Sequence, residues 1–328
     1  MIDGKAVELT AEDSAVISDL QRHQTELGLG QEEFARRYLS KSSTVWTRIC
    51  SGDYWRRVAD SEPVMSALRM DLRNLEAARL LESRYGAVEF IEHPEAAQVL
   101  KAVRQARVKP ISDDVRLVVY LAPSGGGKSA VAGRIRADGG RIVEARQSWL
   151  RSYWVGLCDI ARACGINTKN FYSPAELEDE LIRRLNSRRQ TLVIDEGEFF
   201  SAATLNLVKL ILNKTSAVIV ICALPEAFDR WSTKNWHEAV QIRRRTHALV
   251  RLAPCDEDTA RMFLKPIKCD TTALKVAAAF AREFAPFLTL VQMRAQLDGE
   301  DSVDRDAMIK AGNLVRRCQG LPSLFTER

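Results

Sequence analysis

The chain has 328 residues, of which 46% are hydrophobic and 28% charged, which is enough for two or three globular domains with sizeable cores. No apolar run is long enough to span a membrane, and the N-terminus carries early acidic residues instead of the apolar segment of a secretory signal. The seven cysteines form no CxxC pair, which argues against a structural zinc site and favours reduced thiols in the cytoplasm. The net charge of +5 is compatible with nucleic-acid binding but also occurs in proteins that bind none.

Residues 1–60 predict a helix-turn-helix domain. Ala35 is the small residue at which the two helices cross, and Val45 and Ile49, four positions apart, form the buried face of the second helix. Leu39 stands where the turn of such a motif usually has a glycine. Because the start of the second helix enters the major groove in this docking mode, the predicted DNA-binding residues are Lys41, Ser42, Ser43, Thr44, Thr47 and Arg48. The alternative is a three-helix packing module that does not touch DNA.

The rest of the chain predicts three further segments. Residues 61–109 form a charged, mostly helical connector, because their apolar positions recur every three or four residues. Residues 110–253 alternate apolar strands with helices, which predicts a parallel sheet with crossover helices. Residues 254–328 are helical and predict a small C-terminal lid.

A phosphate-binding loop is predicted directly after the strand over 117–121. The order of strand, glycine-rich loop, Lys128, Ser129 and helix matches the GxxxxGK[ST] pattern, except that Ala122 replaces the first glycine. Lys128 is expected to reach the β- and γ-phosphates of a nucleotide and the Ser129 hydroxyl to hold Mg²⁺. The predicted cofactor-binding residues are Ala122, Pro123, Ser124, Gly125, Gly126, Gly127, Lys128, Ser129 and Ala130. A glycine-rich turn that binds nothing is the alternative.

Two acidic residues end the apolar strand that begins at Thr191. The carboxylate of Asp195 is suited to bind Mg²⁺, directly or through water. Glu196 is suited to polarise the attacking water as a general base. Alternatively, the two acids only cap the helix that begins near Ser201.

Three arginines precede the last predicted strand. Such residues lie at the rim of the sheet, where in an oligomer they can reach a neighbouring subunit's ATP and stabilise transition-state charge. Arg245 is the first choice for this role and Arg244 the second. A DNA-facing basic rim is the alternative, most of all for Arg243.

With both nucleotide motifs, an arginine before the fifth strand and a helical lid, the chain resembles an AAA+ P-loop ATPase. The N-terminal helix-turn-helix narrows the resemblance to the phage Mu transposition protein B family. The likeness rests on Gln31 to Gly52, Ala122–Ser129, Leu192–Glu196 and Gln241–Thr246, in that order. It implies an α/β AAA+ fold with ATP and Mg²⁺ as cofactors, in the cytoplasm of a bacterial host if the chain is phage-encoded. It also implies a protein that forms oligomers or helical filaments on double-stranded DNA, activates a transposase and directs target selection.

Departures from the family pattern predict slow hydrolysis. Leu224 stands where the family has a polar residue after the fourth strand, and Thr289 where the lid usually has an arginine, which Arg294 replaces only partly. Losing such contacts removes transition-state stabilisation and leaves the binding cradle intact. We therefore expect ATP to favour the DNA-bound assembly and slow hydrolysis to release it. The alternatives are a nucleotide-responsive DNA-binding regulator with little ATPase activity and a loader of a replicative helicase.

Overall fold

The computed structural model describes residues 9–39, 41–56, 58, 60–69, 71–72, 75–76, 90–110, 112–187, 189–231 and 237–326. The chain divides into two compact units, residues 1–87 and 88–328. The predicted connector is shared between them, because its residues 62–69 are helical within the first unit and its helix Pro94–Arg107 belongs to the second. The finer boundaries at residues 60, 109 and 253 stay predictions.

The first unit contains the two helices of the predicted helix-turn-helix. Helix α1 spans Ala11–Glu26, α2 spans Gln31–Tyr38 and α3 spans Ser43–Cys50. The Phe34 and Trp46 rings join α2 to α3 with centroids 6.0 Å apart, and the Trp46 indole N–H donates to Gln24 of α1 at 3.0 Å. The buried face of α3 is therefore formed by Trp46 with Ile49, whereas Val45 is only half-buried.

A five-stranded parallel sheet forms the centre of the second unit. Its strands are β1 (Leu117–Leu121), β2 (Arg141–Glu144), β3 (Thr191–Asp195), β4 (Val218–Ala223) and β5 (Thr246–Arg251). The order across the sheet is β2-β3-β4-β1-β5, and every pairing is parallel. All residues of β1, β3 and β4 are buried, as expected for strands covered on both faces. Because the strands are parallel, the loops that follow β1, β3 and β4 meet at one edge.

Helices connect the strands and cover the sheet. They are α4 (Pro94–Arg107), α5 (Lys128–Ala137), α6 (Tyr153–Ala163), α7 (Pro174–Ser187), α8 (Ala202–Lys214), α9 (Pro225–Trp231) and α10 (His237–Arg244). Residues 147–150 form a 3₁₀ turn, and Ser152 is the N-cap of α6 directly after it. In the core beneath this turn, Trp149 and Trp231 stack on the two sides of Phe200, with centroids 6.0 and 5.5 Å away.

A helical bundle with its own core follows β5. It consists of α11 (Glu257–Leu264), β6 (Lys268–Cys269), α12 (Thr271–Glu283), α13 (Pro286–Gln296), β7 (Ser302–Val303) and α14 (Arg305–Cys318). The N-cap of α14 is Asp304, and the preceding Ser302 pairs with Lys268 between β6 and β7. Gly312 of α14 lies against Phe280 of α12, with no room for a methyl group.

The sheet order, the glycine-rich loop after β1 and the helical bundle after β5 are the AAA+ P-loop NTPase arrangement. The predicted fold class is thereby confirmed. Within the described ranges, no helix combines the length and the apolar composition that a membrane crossing needs.

Candidate nucleotide-binding site

The predicted phosphate loop forms a compact turn between β1 and α5. Gly125 and Gly127 have φ values of +71° and +80°, which glycine adopts without strain. Lys128 is buried, and its Nζ donates to the carbonyl oxygens of Ala122 at 3.0 Å and Pro123 at 3.2 Å. The lysine ammonium is thus folded over the start of the loop, at the N-terminus of α5, where the helix dipole also favours an anion.

Alanine at position 122 fits this loop. Of the described non-glycine residues, only Glu196 and Ala285 have positive φ, so the backbone of Ala122 does not need the freedom of glycine. Its side chain is fully buried, and its N–H donates to the Ala223 carbonyl at 3.1 Å. A methyl group on Gly126 would lie 2.9 Å from the Ala122 Cβ, so the steric demand for glycine falls on Gly126.

The loop and the acidic end of β3 meet at one point. The Ser129 hydroxyl donates to Asp195 Oδ2 at 3.2 Å. The other carboxylate oxygen of Asp195 accepts the backbone N–H of Glu196 at 3.0 Å. Asp195 is completely buried, so its carboxylate is held in one orientation beside the loop. A hydroxyl from the start of α5 and a carboxylate from the end of β3 therefore lie next to each other, and both are oxygen groups of the kind that Mg²⁺ binds.

Glu196 leaves the sheet in an unusual backbone conformation. Its φ is +58°, in the left-handed region that non-glycine residues rarely occupy. Burial raises the pKa of its carboxyl group to about 7, with further contributions from the hydrogen bond to Glu198 and the charges of Glu198 and Asp195. A carboxyl group that is partly ionised near neutral pH is suited to general-base chemistry.

The end of β4 carries no polar side chain, since Leu224 follows its last residue. The backbone N–H of Leu224 instead donates to Glu198 Oε2 at 3.4 Å. Glu198 lies in the 3₁₀ turn Gly197–Phe199 and was not among the residues that the sequence singled out. The sequence signal that could have identified it is the run Asp-Glu-Gly-Glu over 195–198, which begins at the last residue of β3.

The lid meets the phosphate loop through an apolar residue. The N–H groups of Phe287 and Leu288 at the start of α13 donate to the Gly125 carbonyl at 3.0 and 3.2 Å. The Phe287 ring lies over Gly127, 3.0 Å from where a methyl group would be. Thr289 is buried and turned back, with its hydroxyl donating to the Phe284 carbonyl at 2.7 Å. The residue that faces the loop is therefore Phe287.

Arg294 belongs to the same helix as Phe287 but lies farther from the loop along its axis. It lies in the last turn of α13, about 10 Å along the helix axis from Phe287 at 1.5 Å per residue. The end of α13 that faces the loop thus presents the Phe287 ring and backbone N–H groups.

His93 is a second residue that sequence reasoning missed. It is 2% exposed, and its ring packs against Phe287 with centroids 4.5 Å apart. Burial lowers the pKa of its imidazole, against the opposing effect of Glu95, whose carboxylate lies 3.0 Å from Nδ1. His93 caps α4, so the ring links this helix to the lid beside the phosphate loop. No local sequence signal distinguishes such a buried histidine from an exposed one.

The three candidate arginines lie at the opposite edge of the sheet, before β5. Arg245 pairs with Asp114 at 3.0 Å and donates to Asn213 at 2.8 Å, and only 16% of its side chain is exposed. The Arg243 guanidinium lies over the Phe228 ring, 5.5 Å from its centroid. Arg244 is exposed and shows no ion pair or hydrogen bond with any described side chain. Arg244 can therefore reach a neighbouring molecule without giving up an ion pair or a ring contact.

The predicted DNA-contacting residues surround the start of α3 in the first unit. Ser42 is the N-cap, and its hydroxyl oxygen accepts the Val45 N–H at 3.4 Å. Thr44, Thr47 and Arg48 are exposed on one face, whereas Lys41 and Ser43 are half-buried. The Thr47 hydroxyl also donates to Gln31 at 2.8 Å, which fixes its orientation against α2.

Comparison with known proteins found no matching family model and no matching curated protein. Solved structures do match. C. elegans PCH-2 is similar at a TM-score of 0.40 and 13% identity, over 74% of this chain and 73% of that chain. ORC1 of Aeropyrum pernix, solved in complex with DNA, is similar at 0.43 and 19%, over 68% and 65%. A RuvB mutant of Thermotoga maritima is similar at 0.42 and 16%, over 72% and 73%. The likeness is one of overall fold, and nothing about this chain's ligands is concluded from it.

Proposed function

We propose that the second unit binds ATP with Mg²⁺ and hydrolyses it slowly. The observation that carries this proposal is the 3.2 Å hydrogen bond between Ser129 and Asp195, because it joins the phosphate loop to the acidic end of β3. A hydroxyl and a carboxylate are oxygen ligands that Mg²⁺ accepts together with nucleotide phosphates. When bound, the ion would neutralise charge on the phosphates.

Each side chain then has a defined task. The backbone N–H groups of the loop and the Lys128 ammonium bind the phosphates, so Lys128 exchanges its two loop carbonyls for phosphate oxygens. Glu196 accepts a proton from the attacking water. Slow turnover follows from two features of the site: Leu224 and Phe287 bring no charge or side-chain hydrogen bond to the transition state.

Completion of the site by a second subunit is the next part of the proposal. Arg245 was the first choice for this role, but its ion pair with Asp114 would have to break before it could reach a neighbour. Arg244 is exposed on the same turn, so we favour it for the contact in trans. Arg244→Ala should lower the ATPase rate of the assembled oligomer more than Arg245→Ala does, at equal nucleotide affinity. The reverse order would assign the role to Arg245.

The finer proposal is an ATP-controlled DNA-binding switch that forms oligomers or filaments on double-stranded DNA and recruits a transposase. Its supports are the exposed face of α3 with Thr44, Thr47 and Arg48 and the resemblance carried by the order of the motifs. In this proposal ATP binding favours the DNA-bound assembly and hydrolysis releases it.

The test is DNA affinity measured with and without ATP. Lys128→Ala should abolish the effect of ATP on binding to a fluorescent duplex, whereas Lys101→Ala, an exposed lysine on α4, should leave it unchanged. Equal affinity of the unaltered protein with and without ATP would refute the switch. Electron microscopy with ATP, a non-hydrolysable analogue or no nucleotide then separates a filament from discrete oligomers.

A DNA-binding regulator with little ATPase activity is the second candidate. It is favoured by the apolar side chains of Leu224, which follows β4, and Phe287, which lies over the phosphate loop, because neither supplies the polar group that fast hydrolysis is expected to need. It predicts a footprint confined to one DNA site and no effect of Glu196→Gln on binding. Continuous DNA coverage that depends on ATP would exclude it.

A further inference from the structure

The imidazole of His93 has one buried nitrogen without a partner. The residue is 2% exposed, and its Nδ1 lies 3.0 Å from Glu95 Oε2 and 3.4 Å from the backbone nitrogen of Ala96. Its Nε2, by contrast, is buried and forms no hydrogen bond within the part of the chain that the structure describes. Since buried polar atoms are nearly always hydrogen-bonded, this nitrogen is suited to contact a ligand.

The unpartnered nitrogen lies beside the phosphate loop. It is 3.7 Å from the position that a methyl group on Gly127 would occupy, and Gly127 directly precedes α5. The Phe287 and Tyr120 rings flank the imidazole, with centroids 4.5 and 6.4 Å away, and Phe263 stacks on Phe287. A single polar atom among aromatic rings, next to a phosphate site, is suited to a flat group that is mostly apolar.

Glu95 determines which kind of group this nitrogen can bind. Its Oε2 faces Nδ1 of His93, and its Oε1 accepts the Ala253 N–H at 3.3 Å. The contact of Nδ1 with the carboxylate is shorter than its contact with the Ala96 N–H, and hydrogen bonds to charged groups are the stronger ones, so Nδ1 carries the proton. Burial lowers the pKa of the imidazole, which keeps the ring neutral near pH 7. Nε2 then has a lone pair that accepts a hydrogen bond and repels phosphate oxygens.

We propose that Glu95 and His93 together select the nucleobase: His93 Nε2 accepts a hydrogen bond from the exocyclic amino group of adenine and so favours ATP over GTP. The inference rests on the proposed ATP binding at this site. Adenine has an amino group at the position where guanine has a carbonyl oxygen, so a lone pair at Nε2 attracts the first base and repels the second. Phe287 belongs to α13 of the lid, so a shift of this helix gives the base access to Nε2.

Glu95→Gln tests the role of the carboxylate without changing the size of the side chain. The Ala253 N–H holds the amide oxygen, so the amide nitrogen faces Nδ1 and donates to it. The imidazole proton then lies on Nε2, which becomes a donor suited to the guanine oxygen. Calorimetric titration of the full chain should give an ATP affinity about 10- to 100-fold above the GTP affinity, and Glu95→Gln should lower this ratio at least about 10-fold. Glu92→Gln, the same change at an exposed acid before α4, should leave the ratio unchanged.

His93→Phe tests the imidazole itself. Phenylalanine keeps a ring to pack on Phe287 and removes both nitrogens, so ATP binding should weaken about 10-fold. The affinities for ATP and GTP should then agree within about 3-fold. Because both nucleotides are titrated into the same preparation, their affinity ratio does not depend on the fraction of the variant that is folded.

The outcomes separate this inference from the proposed function. Equal affinities of the unaltered protein for ATP and GTP overturn the selection of the base and leave nucleotide binding in place. An ATP preference that survives in Glu95→Gln or in His93→Phe also overturns it, because the preference would then come from other groups. Weaker binding of 2′-deoxy-ATP than of ATP, seen in the unaltered protein and absent in His93→Phe, would assign Nε2 to the ribose instead. If the unaltered protein binds neither nucleotide, both proposals fall.

Discussion

Truncation of Phe287 to alanine should release the lid from the phosphate loop. The ring is 5% exposed; it stacks on Phe263 with centroids 4.4 Å apart and packs at a tilt against His93 with centroids 4.5 Å apart. Removing a buried phenylalanine ring costs about 3–5 kcal/mol of unfolding free energy. Since one side of this ring faces the loop and not the lid core, we take the lower end, about 3 kcal/mol.

The expected change in melting temperature follows from the size of the unit. In a domain of this length, each kcal/mol lowers the Tm by about 2–4 °C, so Phe287→Ala should lower it by about 6–12 °C. Calorimetry of the full chain measures this value. Leu288→Ala is the matched control, because Leu288 is 46% exposed and donates to the same Gly125 carbonyl through its backbone. Its Tm should change by less than about 2 °C.

The same variant tests the coupling of the lid to the nucleotide. If Phe287 holds α13 over the loop, Phe287→Ala should weaken ATP binding, and added ATP should raise its Tm less than it raises that of the unaltered protein. A Tm decrease equal to that of Leu288→Ala would refute the packing role. A large Tm decrease with unchanged ATP affinity would show that the contact stabilises the lid without affecting the site.

Three further predictions concern the lid core, the general base and the DNA-binding face. Gly312→Ala should lower the unfolding free energy by about 1–3 kcal/mol, because the new methyl group would overlap the Phe280 ring. Denaturant titration measures this change, and an unchanged value would mean that α12 and α14 can move apart to make room for the methyl group. The single-turnover rate of ATP hydrolysis should rise between pH 6 and 8 with a midpoint near 7. The pKa of Glu196 is raised to about 7, and only the ionised carboxylate accepts a proton. The same flat pH profile for the unaltered protein and for Glu196→Gln would contradict this role. Arg48→Ala should weaken DNA binding and reduce the slope of log affinity against log salt concentration by about one. The control is Arg22→Ala, which removes an exposed arginine of α1 that pairs with Asp19 and should leave the slope unchanged. Equal slopes for both variants would place the DNA contacts elsewhere.

Local patterns in the sequence were sufficient for the phosphate loop and the sheet. The strand, loop and helix around Lys128 are contiguous in the chain, and β2 is a short parallel strand beside β3. A buried strand that ends in two acids also indicates where those acids lie, which is near the phosphate loop. The reason is that the loops that follow parallel strands lie at the same edge of the sheet. Ser129 and Asp195, each predicted from the sequence as a Mg²⁺ ligand, lie at hydrogen-bond distance from each other.

Long-range packing decided the features that the sequence pattern misplaced. Val45 was predicted to be buried, but the large ring of Trp46 packs on Phe34 and takes the inner position. The sequence placed Thr289 where the lid usually has an arginine, whereas in the structure Phe287 is the lid residue that lies over the loop. In each case the side chain that points inward depends on which face of its helix packs against the neighbouring elements. That packing is set by residues far away in the chain.

The sequence by itself determined which chemistry the second unit can carry, because a glycine-rich loop, a lysine and two carboxylates are short-range patterns with few alternative uses. Only the tertiary structure decided how this chemistry is controlled. It places the Glu198 carboxylate at the Leu224 N–H, holds Arg245 in an ion pair with Asp114 and positions an apolar lid residue over the loop. These contacts either join segments that lie far apart in the chain or depend on the exact conformation of the backbone. Their geometry is therefore set by packing and hydrogen bonding and cannot be derived from residue order.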